Sequence, residues 1–312
     1  MDISFVIPLR NEETTIRLCI ESIAVQMHTG DEIIVVDNGS TDASINNISG
    51  LRNVTMISKP EATIAAVRNA GAAIAKGDIL AFIDADCVLS RNWRDETVRT
   101  LSDDSVSATG AKVDIPDDAV WVEKVWYSQR DSKCSQVSYI NSGNFVMRKR
   151  VFEIVGGFSE ALITGEDSEL GWRINKAGYV IISNPAIRSI HLGNPKNIGS
   201  FYKKEKWHAL GMMGTFKVSC IDKPLIMTAA FMVCNLLALC IFLYLTLRGN
   251  LGYGILAFFA LTVSVPAVTS LYRVMQFGNT RYLFHLVCLY WIYFLARANV
   301  LFSIGFNKLK IQ

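Results

Sequence analysis

From Pro224 to Gln312 the chain holds no Asp or Glu, and its only formal charges are Arg248, Arg273, Arg281, Arg297, Lys308 and Lys310. No water-soluble fold readily absorbs so long a stretch without acids. Pro224–Leu247 is uncharged and long enough to cross a hydrocarbon core of about 30 Å at about 1.5 Å per helical residue. Leu251–Tyr272 follows after only Arg248-Gly249-Asn250, a turn so short that the two stretches must form an antiparallel hairpin. A third apolar stretch, 282–305, is interrupted by Arg297 and Asn299 and carries Tyr290, Trp291 and Tyr293. Residues 224–312 are therefore expected to be a membrane anchor of two or three helices, at about 224–247, 251–272 and 282–305.

Loop charge orients that anchor. Lys203, Lys204, Lys206, Lys217 and Lys223 precede the first stretch, and Arg273 and Arg281 flank the loop after the second. The positive-inside rule places both regions in the cytosol. Three full spans would then carry Lys308 and Lys310 to the far side, against the same rule.

Composition agrees with a divided chain. Hydrophobic residues make up 51% and charged residues 19% of the 312, and the mean hydropathy is +0.28. Those values exclude a disordered chain and argue against a wholly soluble one. The net charge of +3 joins a slightly acidic front to a basic tail, so there is no nucleic-acid footprint and no nucleic-acid partner is expected. The 7 cysteines are odd in number and form no CxxC pair, which speaks against a zinc site or disulfide framework and for a reducing compartment. The opening MDISFVIPLRNEE lacks the basic and apolar regions of a signal peptide. The front is accordingly expected to stay in the cytosol.

Within the front, short β-branched runs alternate with amphipathic ones. Ile3–Pro8, Glu32–Asp37, Val54–Ser58 and Asp78–Asp84 read as strands, with helices over Thr14–Gln26 and Thr63–Ala75. The apolar runs suit a parallel sheet covered on both faces. This spacing implies βαβ units and a nucleotide-binding type of α/β sheet. Further on, Asp114–Asp118 reads as an exposed loop, Ser142–Arg148 as a strand, Lys149–Val155 and Glu166–Ala177 as helices, and Val180–Ser183 as a strand.

Asp84-Ala85-Asp86 follows directly on a buried strand. Two carboxylates one residue apart at a strand C-terminus project into the crevice where α/β sheets bind ligands. They can hold a hard divalent cation, which in turn can neutralise a diphosphate. Around them stand Val6-Ile7-Pro8-Leu9-Arg10-Asn11-Glu12-Glu13, Val35-Val36-Asp37-Asn38-Gly39-Ser40-Thr41-Asp42, Val67-Arg68-Asn69-Ala70-Gly71, Gly156-Gly157-Phe158-Ser159-Glu160, Gly165-Glu166-Asp167 and Leu170-Gly171-Trp172-Arg173.

Taken together, over about residues 3–193, these motifs resemble the family 2 glycosyltransferases in order and spacing. The resemblance implies a GT-A nucleotide-diphospho-sugar transferase domain, a Rossmann-like mixed sheet flanked by helices, over residues 1–199. An amphipathic interfacial segment (200–223) and the membrane anchor (224–312) follow. It implies roles residue by residue. Pro8, Arg10 and Glu12 match the loop lining the nucleotide site, Asp37 the carboxylate that contacts the base, and Arg68 the basic helix residue near the nucleotide. Asp84 looks like the ribose-side member of the DxD motif and joins Asp86 and His191 as the implied metal set. Asp167 matches the general base.

The implied cofactor is a divalent metal, Mn²⁺ or Mg²⁺, and the implied donor a nucleotide-diphosphate sugar, UDP-linked ahead of GDP-linked. One base and one metal without a carboxylate nucleophile favour direct displacement with inversion. Lys203-Lys204-Glu205-Lys206-Trp207 resembles the QxxRW element of processive membrane synthases with Lys replacing Gln and Arg. Both replacements weaken that likeness, since Lys lacks the planar fork of Arg, and the preferred reading is an interfacial helix with Tyr202 and Trp207 at headgroup level.

The expected enzyme is a membrane-anchored inverting glycosyltransferase of the cell (inner) membrane, with its catalytic domain on the cytoplasmic face. Its expected partners are the lipid bilayer and a lipid-linked or polysaccharide acceptor, alongside other envelope-polysaccharide enzymes. The alternatives are a polyprenyl-phosphate sugar synthase and a non-catalytic sugar-nucleotide binding subunit. The second alternative would be expected to have lost Asp86 or Asp167, and both are present.

Overall fold

The computed structural model describes residues 1–51, 53–128, 133–215, 223–278 and 280–309. Lys217 and Lys310, and residues 216–222 of the expected interfacial segment, lie outside the described residues. In chain order the elements begin β1 (Ile3–Leu9), α1 (Ile16–Ala24), β2 (Glu32–Asp37), α2 (Ser44–Ile48), β3 (Val54–Ser58), α3 (Ile64–Ile74) and β4 (Ile79–Ile83). Next come β5 (Cys87–Leu89), α4 (Trp93–Leu101), β6 (Val106–Gly110), α5 (Trp121–Trp126), β7 (Ser135–Gln136), β8 (Asn144–Arg148) and α6 (Lys149–Ile154). They end with α7 (Glu166–Lys176), β9 (Val180–Ser183), β10 (Ser189–His191), α8 (Ile198–Thr215), α9 (Lys223–Leu247), α10 (Leu251–Phe277) and α11 (Leu283–Leu309).

The chain divides into two compact units, Met1–Ala119 with Ser128–Asn194 and Val120–Tyr127 with Pro195–Gln312. The first is built on an eight-stranded sheet of order β3-β2-β1-β4-β8-β6-β9-β7. Strands β1 to β4 pair in parallel, whereas β8 runs antiparallel to both β4 and β6. The sheet is thus mixed, as the implied fold requires. Every residue of β1 is buried, with Ile3, Phe5 and Ile7 in one core and Val6 in the other. That is the period of two expected of a strand covered on both faces. Helices α1 and α4 close the first core through Ile16, Ile20, Ile23 and Trp93, and α3 closes the second through Ala65 and Val67.

One expectation fails here. Asp114 is not in an exposed loop: it is 5% exposed, bridges Ile190 and pairs with Arg188 at 2.9 Å. Its backbone continues the sheet-like pairing with β10, so the loop is restricted to the residues after it.

Among the described residues of the second unit, three helices are long and apolar enough to cross a membrane: Lys223–Leu247, Leu251–Phe277 and Thr280–Ser303. Helices α9 and α10 form the expected hairpin, with the Phe242 and Phe258 rings 5.8 Å apart. Helix α10 runs five residues beyond the expected Tyr272 and carries Arg273. Arg297, the charge that interrupts the third stretch, is only 8% exposed and meets Glu205 of α8 at 3.0 Å. A partner from outside α11 is what allows that charge to be buried.

Candidate active site

The strand ends on one side of the sheet bring most of the expected residues together. Asp84 follows β4, and Arg68 of α3 donates to its Oδ1 at 2.7 Å. The same guanidinium donates to Glu166 Oε1 at 2.7 Å. Arg68 is 3% exposed and Glu166 6%, so one buried cation ties the end of β4 to the start of α7. Planar, forked and permanently charged, Arg is suited to bridging two carboxylates in this way.

Helix α7 starts at Gly165, whose φ of +84° lies in the left-handed region that favours glycine. Glu166, Asp167 and Glu169 fill the first turn, where the helix dipole favours negative charge. Asp167 Oδ1 accepts from the Ser168 backbone N–H at 2.7 Å, and Oδ2 lies 3.4 Å from the Asn141 side-chain amide. Burial pushes the Asp167 carboxyl up, to about 6, and neighbouring Glu166 adds to the rise; the Ser168 N–H and Arg68 act against it. A carboxylate in that range suits proton abstraction near neutral pH.

Asp86 and His191 meet through the short sheet of β5 and β10. Antiparallel pairing sets His191 opposite Cys87, and the Leu192 N–H donates to the Asp86 carbonyl at 2.8 Å. His191 Nε2 then lies 3.3 Å from Asp86 Oδ2. A β-carbon at Gly193 would overlap that same carboxylate oxygen, so only glycine lets it lie where it does. Asp86, Cys87 and His191 present potential ligand atoms within 4.8 Å of one another. A carboxylate oxygen and an imidazole nitrogen fit Mn²⁺, whereas burial pushes the Cys87 thiol well up and keeps this soft sulfur neutral.

The remaining expected residues are less uniform. Glu12 joins the cluster: burial, then the charge of Asp86, raises its carboxyl, with Asp84 adding to the rise and His191 opposing it. Thr15 Oγ1 donates to it at 2.9 Å. Pro8 is buried in β1 and registers with Val36, while Arg10 is exposed. Asp37 is buried at the end of β2, where its carboxylate accepts from the backbone N–H groups of Gly39 and Ser40, each at 3.1 Å. Its described hydrogen bonds close its own turn. Sequence reasoning missed the Arg68–Glu166 pair and the role of Gly193. Only the spacing of β5 from RSIHLG could have hinted at the strand that carries His191.

Comparison with known proteins adds an independent line. The family model for Glycosyl transferase family 2 matches residues 4–156. The chain is 28% identical over 215 residues to Glycosyltransferase AglE of Haloferax volcanii, covering 65% of this chain and 70% of that protein. It is 29% identical over 204 residues to the Pre-mycofactocin glycosyltransferase of Mycobacterium tuberculosis, covering 61% of this chain and 42% of that one. The chain thus matches less than half the length of the mycobacterial relative.

Among solved structures, the mannosyltransferase PcManGT from Pyrobaculum calidifontis, in complex with GDP-Man and Mn²⁺, aligns with a TM-score of 0.63 at 18% identity over 96% of this chain and 87% of that one. GalNAc-T7 with UDP, GalNAc and Mn²⁺ aligns with a TM-score of 0.51 at 20% identity over 62% of this chain and 45% of that one. Likenesses at this identity speak to the fold.

Proposed function

The chain carries a Glycosyl transferase family 2 domain of GT-A fold, and from that premise we propose that it is an inverting, metal-dependent transferase using a nucleotide-diphosphate sugar. The observation that carries this reading is the Arg68 bridge. It joins Asp84 to Glu166 and thereby holds the base candidate, Asp167, in the same cluster as the DxD carboxylates.

In the proposed reaction Asp167 accepts the proton of an acceptor hydroxyl. The acceptor oxygen bonds to the anomeric carbon as the bond from that carbon to the diphosphate oxygen breaks. The electron pair leaves with the nucleoside diphosphate, and attack from the opposite face inverts the configuration. Asp86 and His191, joined by Asp84, would hold the divalent cation, and Asp84 is the member of the DxD pair that would face the donor's ribose. When bound, that cation offsets the negative charge growing on the departing diphosphate. Arg68 acts through its neighbours: it bridges Asp84 and Glu166, and its charge restrains the rise of Asp167.

Pro8, Arg10, Glu12 and Asp37 line the proposed nucleotide pocket. The UDP and GDP-Man of the two solved neighbours support a UDP- or GDP-linked donor. The three apolar helices support a membrane protein. We place the catalytic residues on the cytoplasmic face of the cell membrane and the acceptor, a lipid-linked saccharide or surface polysaccharide, at the bilayer. A screen of nucleotide sugars against membranes containing the protein, read by mass analysis of the extracted product, tests this reading. A mass increase of one sugar residue on a membrane component is expected, and no donor-dependent product would contradict it.

A further inference from the structure

The three helices long enough to cross a bilayer are not alike. The most apolar stretches of α9 and α10 are 17% and 22% buried within the protein, whereas that of Thr280–Ser303 is 39% buried. Helices α9 and α10 pack on each other up to the turn that joins them, with Gly254 against Phe242 near that end. Helix α11 instead meets the hairpin between its middle and the opposite end, which carries Lys223 and Arg273. Its Phe294 stacks on Phe231 at 5.5 Å and shares a cluster with Met227 and Val265. Its Tyr290 lies beneath the Arg273 guanidinium, 5.8 Å from ring centroid to the cation.

Its other neighbours do not belong in hydrocarbon. Along α8, Glu205 pairs with Arg297 at 3.0 Å, Tyr202 accepts from the Asn299 amide at 3.0 Å, and Ala209 packs on Val300. That helix turns Lys203 and Lys206 outward. From α5, Trp126 packs its ring on Tyr290 at 4.9 Å and on Tyr293 at 5.5 Å. A spanning helix with Tyr290 level with Arg273 would, at 1.5 Å per residue, carry Arg297 about 10 Å into a core about 30 Å thick. Helix α8 and its lysines would have to follow. An ammonium carried into hydrocarbon is costly.

We infer that α11 is not a third span but an interfacial helix that lies with α8 across the base of the α9–α10 hairpin, in the headgroup layer of the bilayer. The face it turns outward fits that setting. Phe284, Trp291, Leu295 and Phe302 are all exposed and recur at intervals of seven and four, which is one stripe of a helix. Arg281, His285 and Asn299 are exposed beside the stripe. An apolar stripe with aromatic residues and a polar margin is what the headgroup boundary accepts. Both ends of α11 then lie on the side of Arg273, and Lys308 and Lys310 cease to conflict with the positive-inside rule.

The test is labelling of the full chain in spheroplasts by a membrane-impermeant maleimide that adds a mass tag. Asn250→Cys, in the hairpin turn, and Ser303→Cys, an exposed site on α11, are each compared with the parent chain. The inference expects a full shift for Asn250→Cys in intact spheroplasts, and parent-level labelling for Ser303→Cys until the membrane is opened. Tagging of Ser303→Cys in intact spheroplasts, or failure to tag Asn250→Cys, would overturn it. A fluorescent protein fused after Gln312 checks the same point without a substitution: fluorescence equal to a cytosolic control supports the inference, and its loss on export contradicts it. Neither measurement reads sugar transfer, so failure of the proposed activity would leave this result standing, and the converse.

Discussion

Asp167 has two opposing influences on its proton: burial beside Glu166 holds it, and Arg68 with the Ser168 N–H helps to release it. With the carboxyl raised to about 6, kcat/KM should fall as pH drops through that value, because the proposed base must be ionised to accept a proton. Asp167→Asn should lower kcat by about 10²- to 10⁴-fold while donor affinity, measured by calorimetry, is retained. Arg68→Met removes the cation from Glu166, a carboxylate only 8% exposed along its side chain. That should cost about 3–5 kcal/mol in chemical denaturation, because it leaves a buried charge without its partner. Any folded Arg68→Met protein should show its acidic limb moved to higher pH, since loss of a positive charge favours the protonated carboxyl. Gly193→Ala is a different kind of change. Its methyl overlaps the Asp86 carboxylate, so Mn²⁺ affinity, read by titration, should fall while the melting temperature stays close to that of the parent.

Single elements differ in how plainly they could be read in the sequence. Strands β1 to β4 were legible because each is an apolar, β-branched run, a pattern that local chemistry alone dictates. Helix α7 was legible from its glycine, acidic first turn and apolar spacing. Strands β5 and β10 are three residues each, too short for any periodicity, and they exist because they pair with each other. Helix α4, WRDETVRTL, carries so many charges that its buried face, Trp93, Arg94, Thr97 and Leu101, includes one of them. The motifs around the site were legible as residue types, but the pairing of Arg68 with Glu166, 98 positions apart, is a product of the fold. The same holds for Arg297, read in sequence as a charge interrupting a span and found clasped to α8. Glu205→Ala should therefore destabilise the second unit by about 3–5 kcal/mol, measurable as a lower melting temperature in detergent, whereas Lys203→Ala on the exposed side of α8 should have little effect.

Taken as a whole, the chain couples a GT-A sheet to a helical unit whose residues 224–312 hold no Asp or Glu, and its modest net charge of +3 conceals that division. The apolar helices predict that the protein stays with the membrane pellet through an alkaline carbonate wash, and release into the supernatant would argue against a spanning anchor. Sugar transfer can be read from release of nucleoside diphosphate from a nucleotide sugar, with membrane acceptor and Mn²⁺ present, in the parent protein and in Asp86→Ala and Asp167→Asn. The parent should show donor- and acceptor-dependent release, lost in both variants, with donor binding kept in Asp167→Asn. Release at the parental rate in both variants would contradict the proposed mechanism.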